Sequence, residues 1–338
     1  MKPKPIRAII YGLGTVGRGV VEYFYAKGGV IPAVYVRNPT GRQAPGHELL
    51  HAQICGPDVP FEQFPADLVV MSHCSRLQDL YEPALRAAQA GLHVLSVAEE
   101  GFEPFYLDDD MRLAISLDSA FKKQNKTLLC TGVQDTFWFG QPLALSGAAQ
   151  RIDKIIGKCL CDLSSFNSAA GYDEMIGLTE AEFFSGFHHH ARPGRKFFEL
   201  ALHPLARALG LEVLSSAVSN RPIFAPEDML YARTKKQILK GRSCGYVEQV
   251  TAQLSEGVCA EAQLIFQHLR PGESAFNEWI IEGEPNMNMR TDRFIGEIIT
   301  PASVVNRIPD LFTAPSGFLG VDALGLARYH HRLVALAD

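Results

Sequence analysis

The chain has 338 residues, of which 47% are hydrophobic and 20% are charged, and its formal net charge is −5. These values are typical of a globular protein, and the length is sufficient for two domains with substantial cores. The negative charge argues against a nucleic-acid-binding surface and against binding to an anionic membrane, and no apolar run approaches the length of a membrane span.

The chain opens with a predicted buried strand that leads directly into a glycine-rich motif. The strand consists of Ile6 and residues 8–11, and the motif that follows is Gly12-Leu13-Gly14-Thr15-Val16-Gly17. A helix is predicted over 18–26 and a second strand over 31–36. The first glycine permits a tight turn, the second lets amides approach a pyrophosphate, and the third allows close helix packing. The phosphate would lie at the helix N-terminus. This pattern predicts a dinucleotide site at Gly12, Gly14, Thr15, Val16 and Gly17; the alternative is a turn that serves packing only.

The end of the second strand bears on cofactor preference. Sites that prefer NAD usually carry Asp or Glu about 20 residues past the motif. Here the strand ends in Arg37-Asn38 without a carboxylate. The Arg37 guanidinium suits a 2′-phosphate, and Arg18 or Arg42 could add to it. We therefore predict that Arg37 and Asn38 bind NADP, with NAD possible, against the alternative that Arg37 is merely solvated.

Strands and helices alternate through the rest of the first half. Apolar strands are predicted over 67–73, 93–97 and 127–131, with helices over 80–90 and 111–125. Such alternation indicates a parallel sheet, and ligands bind beyond the carboxyl ends of its strands. We predict an α/β Rossmann-type parallel-sheet domain over residues 1–137, with Ser72 and His73 facing the cofactor.

The pattern changes in the second half. Thr179-Glu180-Ala181-Glu182 is a capping box, residues 249–267 alternate as a hairpin around a Ser255-Glu256-Gly257 turn, and 275–283 predicts another strand. We predict a second α+β domain with an antiparallel sheet over residues 138–300. The segment 301–338 is predicted to return to the Rossmann domain.

Two adjacent carboxylates, Glu99 and Glu100, follow the strand over 93–97. In a Rossmann-type sheet this strand end lies beside the nicotinamide, where a partly buried carboxylate is suited to acid/base catalysis and attracts an ammonium or iminium cation. We predict that one of the two is catalytic and favour Glu99. The alternative is a solvated pair in a loop.

Candidate substrate-pocket residues lie where the two predicted domains meet. They are Gln134, Phe137 and Trp138, together with Asn167 and Tyr172 of a later loop and Arg307 of the tail. Core packing is an equal alternative for the aromatic residues. Arg307 is the one tail cation considered for a substrate carboxylate, and the lack of an obvious clamp favours an uncharged carbonyl substrate.

The cysteine residues predict no metal site, and the run of three histidines is left open. The seven cysteines do not form a disulfide framework or a zinc motif, and we expect all of them to be reduced. His188-His189-His190 has three open interpretations: a metal site, a loop near the active site or an interface, and plain surface. The polar N-terminal residues do not resemble a signal peptide, so a cytoplasmic location is expected.

Four motifs together resemble those of the native amine dehydrogenases, relatives of 2,4-diaminopentanoate dehydrogenase with a dihydrodipicolinate-reductase-like cofactor domain. They are the motif Gly12–Gly17, the strand end His93–Glu100, the run Thr131–Asp135, and Gly283-Glu284-Pro285-Asn286; the later run Thr300–Pro309 adds to them. The resemblance spans nearly the whole chain, although only the Glu-Glu strand end is distinctive.

The resemblance implies reductive amination of small ketones or aldehydes with ammonia and a reduced nicotinamide cofactor. It further implies that Glu99 or Glu100 is the acid/base and amine anchor, and that the protein is a homodimer joined through the sheet of the second domain. Two alternatives stay open: a diamino-acid or alcohol/carbonyl dehydrogenase on the same scaffold, and a dinucleotide sensor without turnover.

Overall fold

The structure is a computed structural model that describes residues 4–39, 46, 49, 51–106, 111–163, 175–190, 197–231, 234–270 and 272–333, with the side chains of 186–190 and 197 left aside. The chain divides into two compact units. Unit 1 comprises Met1–Thr136 and Glu297–Asp338, and unit 2 comprises Phe137–Gly296. The predicted boundaries lie at 137/138 and 300/301.

The elements follow in chain order. The strands are β1 (Ala8–Tyr11), β2 (Ala33–Tyr35), β3 (Gln53–Cys55), β4 (Leu68–Met71), β5 (His93–Ser96), β6 (Thr127–Cys130), β7 (Arg151–Asp162), β8 (Val213–Phe224), β9 (Met229–Tyr231), β10 (Lys236–Ile238), β11 (Ser243–Leu254), β12 (Cys259–Gln267), β13 (Phe276–Glu284), β14 (Met287–Asp292) and β15 (Gly317–Leu319). The α-helices are α1 (Thr15–Ala26), α2 (Leu77–Gln89), α3 (Met111–Lys123), α4 (Gln141–Ser146), α5 (Glu180–His190), α6 (Phe197–Ala208) and α7 (Gly296–Arg307).

Unit 1 is built on a seven-stranded sheet in the order β15-β6-β5-β4-β1-β2-β3. Every neighbouring pair is parallel. The predicted Rossmann-type sheet is confirmed. Because β2 and β3 lie on one side of β1 while β4 and β5 lie on the other, the strand order reverses beside β1. That reversal is the point at which open α/β sheets bind ligands.

The strands of this sheet are continuous apolar runs because helices cover both faces of a parallel sheet. All four residues of β4 and of β5 are buried. α2 contributes Leu77, Leu80 and Ala84 to the core that lies against them. The uninterrupted hydrophobicity that predicted these strands is therefore a consequence of their burial.

The end of the chain completes unit 1. β15 adds the edge strand beside β6, with Gly317 opposite Thr127. α7 begins at Gly296 and carries Pro301 inside it. The Pro301 ring lies so close to Gly19 of α1 that a Cβ at Gly19 would come within 2.6 Å of Pro301 Cγ.

Unit 2 contains a six-stranded sheet in the order β14-β13-β7-β12-β11-β8. Its pairs are antiparallel except for β12 and β7, which are parallel. The predicted hairpin is confirmed: β11 and β12 pair from Gln253–Cys259 to Gly245–Gln267, and Glu256 and Gly257 in the turn have positive φ.

The inner face of this sheet packs around two tryptophans. Trp279 Nε1 donates a 2.7 Å hydrogen bond to the Phe137 carbonyl oxygen. The Phe198 ring lies 5.9 Å from the Trp279 ring and 4.7 Å from the Trp138 ring, between ring centroids. Gly157 leaves room for Trp279, since a Cβ there would come within 2.7 Å of the indole. The aromatic residues near the start of unit 2 thus form its core.

Among the described residues, no helix combines the length and the apolar character that a bilayer span requires. All seven cysteines lie within the described ranges and are free thiols.

His93 makes the stability of unit 1 depend on pH. Its Nδ1 accepts a 3.2 Å hydrogen bond from the Thr127 N–H between β5 and β6. Burial, with a smaller contribution from Lys126, lowers the pKa of His93 from 6.5 to about 4. The unfolded chain therefore binds this proton more readily than the folded protein. The contribution of neutral His93 to the free energy of unfolding is fully present above pH 6.5 and is lost as the pH falls toward 4.

We expect the free energy of unfolding to fall by about 2 kcal/mol more in the wild type than in His93→Asn between pH 7 and pH 4.5. Asparagine keeps an acceptor for the Thr127 N–H but does not titrate. Urea unfolding followed by circular dichroism at both pH values measures the difference. Equal pH dependence in the two proteins would show that His93 does not carry it.

Candidate functional site

The glycine-rich turn at the end of β1 has no space for side chains at two of its positions. Gly12 has a φ of 102°, and a Cβ on it would lie 3.0 Å from the His73 amide nitrogen. A Cβ on Gly17 would overlap the Gly12 carbonyl oxygen and would lie 2.7 Å from Ser72 Oγ. These contacts bring the first turn of α1 against the end of β1.

Gly14 differs from its neighbours. A Cβ there would meet no atom within 4 Å, and both Gly14 and Thr15 are exposed, while Val16 is half-buried. Gly14 is the N-cap of α1, without a side-chain cap, and the first turn of the helix has no acidic residue. The helix N-terminus is thus open and favours an anion. The residues at this turn fit a dinucleotide pyrophosphate.

Ser72 and His73 follow β4 and border the turn. Ser72 Oγ donates a 3.0 Å hydrogen bond to the Gly12 carbonyl oxygen, and the Ser72 N–H donates one of 2.8 Å to the Tyr11 carbonyl oxygen. The His73 ring lies 4.5 Å from the Tyr11 ring. Ser72 therefore holds the turn in shape, and His73 is exposed beside it.

Arg37 and Asn38 lie just beyond the carboxyl end of β2, and both are exposed. The Gly12 N–H donates a 2.9 Å hydrogen bond to the Tyr35 carbonyl oxygen at the end of the same strand. The two predicted cofactor residues are thus close along the chain to the strand end that meets the turn.

The two glutamates after β5 lie in one short turn. Glu99–Gly101 form a short 3₁₀ turn, and both glutamates are half-buried. Glu100 Oε2 accepts a 2.9 Å hydrogen bond from the N–H of Leu77, the first residue of α2. The Glu100 N–H donates to the Ser75 carbonyl oxygen at 3.2 Å. Glu100 thus caps α2, as carboxylates do at helix N-termini.

The ends of β4 and β5 form an electronegative cluster. Burial, followed by the negative charges of Asp79, Glu99 and Glu100, raises the pKa of the Cys74 thiol to about 12. The thiol is therefore neutral at physiological pH and is not an activated nucleophile. A cation would be favoured beside these three carboxylates.

The predicted pocket residues Gln134, Phe137 and Trp138 lie on a π-helix, Gln134–Gly140, that follows β6. Gln134 is 9% exposed. The Phe137 ring contacts the Phe294 ring at 5.1 Å, and its carbonyl oxygen accepts the Trp279 hydrogen bond. Trp138 is 4% exposed and packs in the core of unit 2. The observed contacts of Trp138 are those of a residue that packs in the core, which was the alternative to a role in the substrate pocket.

The prediction for Arg307 is corrected by the structure. Its side chain is 1% exposed, and Nε and Nη2 donate to the two carboxylate oxygens of Asp135 at 2.6 and 2.7 Å. Nη1 donates to Asp310 Oδ2 at 2.9 Å and to the Gly325 carbonyl oxygen at 2.7 Å. Two carboxylates offset one guanidinium charge, so Arg307 is a structural ion-pair residue rather than a clamp for a substrate anion.

Some predicted positions lie outside the described residues. Asn167 and Tyr172 are among these, as is Arg42. The backbone of His188–His190 lies in α5, and the side chains are not described. No group of three metal-ligating side chains occurs in the described part of the chain.

A cavity of about 430 Å³ lies in unit 2 and contains none of the predicted site residues. Its lining consists of Glu227, Met229, Leu230, His268, Leu269, Arg270 and Glu273. The glycine-rich turn and the carboxylate cluster belong to unit 1, so the cavity is a feature separate from them.

Sequence reasoning missed the roles of Asp135, Asp79 and Cys74. Asp135 stands in the quoted run Thr131–Asp135, and a charged residue five positions after the buried strand β6 was the available signal. Asp79 and Cys74 gave no distinctive pattern, because their proximity to Glu99 and Glu100 depends on the pairing of β4 with β5.

Comparisons with known proteins agree on one family. Residues 142–332 match the family model of the 2,4-diaminopentanoate dehydrogenase C-terminal domain. The structure of amine dehydrogenase from Mycobacterium smegmatis is similar, with 30% identity, a TM-score of 0.83, and coverage of 97% of this chain and 98% of that chain. The 2,4-diaminopentanoate dehydrogenase of Acetoanaerobium sticklandii is 24% identical and covers 92% of this chain and 91% of its own length.

A more distant structure shows the fold alone. Biliverdin reductase from Synechocystis sp. PCC 6803, solved with biliverdin and NADP+, has 13% identity and a TM-score of 0.56 over 95% of each chain. The family match, by contrast, takes in most of unit 2 and the C-terminal part of unit 1. The chain therefore belongs to the 2,4-diaminopentanoate dehydrogenase family of amine dehydrogenases, which are oxidoreductases.

Proposed function

We propose that this protein catalyses the NAD(P)-dependent oxidative deamination of small amines and, in reverse, the reductive amination of small ketones and aldehydes with ammonia. The observation that carries the proposal is a carboxylate cluster beside a glycine-rich turn. The Glu100 N–H donates to the Ser75 carbonyl oxygen at 3.2 Å, and Ser72, three residues before Ser75, binds the Gly12 carbonyl oxygen of the turn, so the two glutamates follow a segment that borders the turn. The turn would bind an anionic cofactor and the carboxylates would attract a cationic reacting group, so the reaction requires the two features side by side.

The nicotinamide cofactor, when bound, supplies the hydride chemistry. The amides of Gly14 to Gly17 and the N-terminus of α1 would hold its pyrophosphate. Ser72 keeps that turn in the required shape through its bond to Gly12. These residues bind and orient the cofactor, and they leave the proton transfers to the carboxylates.

Glu99 is the proposed acid/base. When ammonia adds to the carbonyl carbon, Glu99 relays one proton from the added nitrogen to the carbonyl oxygen and so gives the carbinolamine. Glu99 then passes a second proton, taken from ammonium or solvent, to the hydroxyl group, which leaves as water as the iminium cation forms. Its charge stabilises the iminium cation that then accepts hydride at carbon. Glu100 is assigned a structural role because one of its oxygens caps α2 through the Leu77 N–H.

The proposed substrates are uncharged carbonyl compounds and the simple amines derived from them. The support is the state of Arg307, whose charge is neutralised by Asp135 and Asp310 and whose side chain is buried. A guanidinium in that arrangement does not recognise a substrate carboxylate. The substrate of the relative from Acetoanaerobium sticklandii, by its printed name, is instead a carboxylate-bearing diamine.

NADP is the proposed preferred cofactor, with NAD accepted less well. Arg37 and Asn38 are exposed just past β2, and no carboxylate stands there to receive the ribose hydroxyls. An exposed guanidinium at this point matches a 2′-phosphate. The ratio of kcat/KM for NADPH and NADH in the assay below tests this assignment.

The homodimer is proposed to form through the outer face of the unit 2 sheet. Leu160 is the register partner of both Ile265 and Phe276, and Ile156 pairs with Ile280. These five side chains share the face opposite Trp279 and are half-buried. Half-exposed apolar side chains gathered on one sheet face favour an interface, and the paired residues Lys158 and Glu278 lie among them on this face.

We expect Glu99→Gln to lower ammonium-dependent NADPH oxidation by at least about a hundredfold in kcat, because the amide cannot shuttle protons. The matched variant Glu100→Gln retains an acceptor for the Leu77 N–H and is expected to stay within about threefold of the wild type. The assay follows NADPH absorbance with a panel of small ketones and aldehydes, with and without concentrated ammonium at mildly alkaline pH.

NADPH binding, followed by nucleotide fluorescence, is the control and is expected to be the same in both variants. Full activity in Glu99→Gln would contradict the acid/base assignment. NADPH oxidation that does not require ammonium would identify the protein as a carbonyl reductase rather than an amine dehydrogenase. Tight NADPH binding without turnover would favour a dinucleotide sensor.

Light scattering of the wild type is expected to give twice the chain mass of 37.2 kDa. Leu160→Lys is expected to give the mass of a single chain, because it places a charge among apolar side chains of the proposed interface. Ile115→Lys, at an exposed position on α3, is the matched control and is expected to stay dimeric. A dimeric Leu160→Lys protein would exclude this face as the interface.

A further inference from the structure

One face of α7 contacts residues 132–136, which lie after β6 and include the first residues of the π-helix. Ser303 Oγ lies 2.8 Å from Thr136 Oγ1. A Cβ on Gly132 would lie 3.3 Å from Thr300 Cγ2. Arg307 forms its two-pronged ion pair with Asp135 one turn further along. Positions 300, 303 and 307 share one side of a helix, so α7 lies along residues 132–136.

The ion pair at the end of this contact is buried and geometrically rigid. Asp135 is completely buried, and Thr131 Oγ1 donates a 2.7 Å hydrogen bond to its Oδ2. Arg307 meets both oxygens of Asp135 in the planar fork arrangement, which restricts orientation as well as distance. A buried pair of this kind adds little to stability over an apolar packing, but it can specify one arrangement of the chain.

Asp135 is the second residue of the π-helix, and Gln134 is the first. π-helical turns are rare and frequently occur at functional sites. The Gln134 side chain is 9% exposed, and its Oε1 would lie 3.0 Å from a Cβ on Gly132. Asp135, the residue after Gln134, is bound by Arg307 of α7, and Gly132, two residues before Gln134, lies beside Thr300 of α7, so α7 constrains the backbone that carries the Gln134 amide.

We propose that Arg307 is a positioning residue: through Asp135 it fixes the first turn of the π-helix and so places the Gln134 amide at the carboxyl end of the parallel sheet, where the substrate binds. This inference rests on the proposed function. It replaces the direct substrate contact predicted for Arg307 by an indirect effect, since the side chain is 1% exposed and its guanidinium donates to Asp135, Asp310 and the Gly325 carbonyl oxygen.

The test compares Arg307→Lys with Thr136→Val and with a control, Arg290→Lys. Lysine keeps the charge but cannot span both Asp135 oxygens. Thr136→Val removes only the hydroxyl pair with Ser303 and is the milder change. Arg290 forms exposed ion pairs with Glu278 and Asp292 in unit 2, so its replacement is a matched loss of a guanidinium.

We expect the KM for the amine to rise by about tenfold in Arg307→Lys and by about threefold in Thr136→Val, because a displaced positioning group weakens substrate alignment. The NADP+ dissociation constant is expected to stay within twofold. Hydrogen–deuterium exchange of the peptide covering 132–140 is expected to be faster in both variants, and Arg290→Lys to match the wild type. A purely structural role would lower thermal stability without this selective rise in KM.

Folded variants with the KM and kcat of the wild type would overturn the positioning role. If Arg307→Lys does not fold, the KM, the NADP+ dissociation constant and the hydrogen–deuterium exchange of Thr136→Val provide the test. A wild type that turns over no amine would overturn the proposed function itself. Amine turnover with a KM that is the same in wild type and variants would overturn the positioning role alone.

Discussion

The close approach of α1 to the end of β1 is the constraint on which unit 1 depends. Gly17 lies directly against the Gly12 carbonyl oxygen, and Ser72 Oγ binds that same oxygen from the end of β4. A side chain at position 12 or 17 would separate helix, turn and neighbouring strand. Gly12 and Gly17 have no space for a side chain, whereas Gly14 has no atom within 4 Å of a Cβ. The same geometry that packs the helix therefore also exposes its N-terminus for an anion.

The carboxyl ends of β4 and β5 continue from this turn, and they carry the negative charge of the site. Glu99 and Glu100 are adjacent in the sequence and are both half-buried, yet Glu100 is engaged by the backbone of α2. The division of labour proposed here follows from that single hydrogen bond. Burial and the charges of Asp79, Glu99 and Glu100 together raise the pKa of Cys74, which lies just after β4.

The predictable parts of the molecule are those that short-range patterns encode. Continuous apolar runs predicted β4 and β5, the glycine spacing predicted the turn, and alternation predicted the β11–β12 hairpin. The capping box was also predictable: the Thr179 N–H and hydroxyl both donate to Glu182, and the Glu182 N–H donates to the Thr179 hydroxyl.

Long-range contacts escaped prediction for a physical reason. Arg307 looked like a free cation because its partner Asp135 is 172 residues away in the chain. β15 is only three residues long and is a strand because it pairs with β6. The role of Glu100 as a helix cap depends on Leu77, the first residue of α2, which lies 23 residues earlier in the chain. Local composition carries no record of such partners.

The central proposal is that the carbonyl carbon bonds to ammonia before it is reduced. The direct measurement is a reaction of a small ketone with ¹⁵N-labelled ammonium and NADPH deuterated at the transferable C4 position, followed by mass spectrometry of the product. We predict an amine with one ¹⁵N and one deuterium on the former carbonyl carbon. A deuterated alcohol without nitrogen would contradict the account, because hydride would then have reached the carbonyl itself.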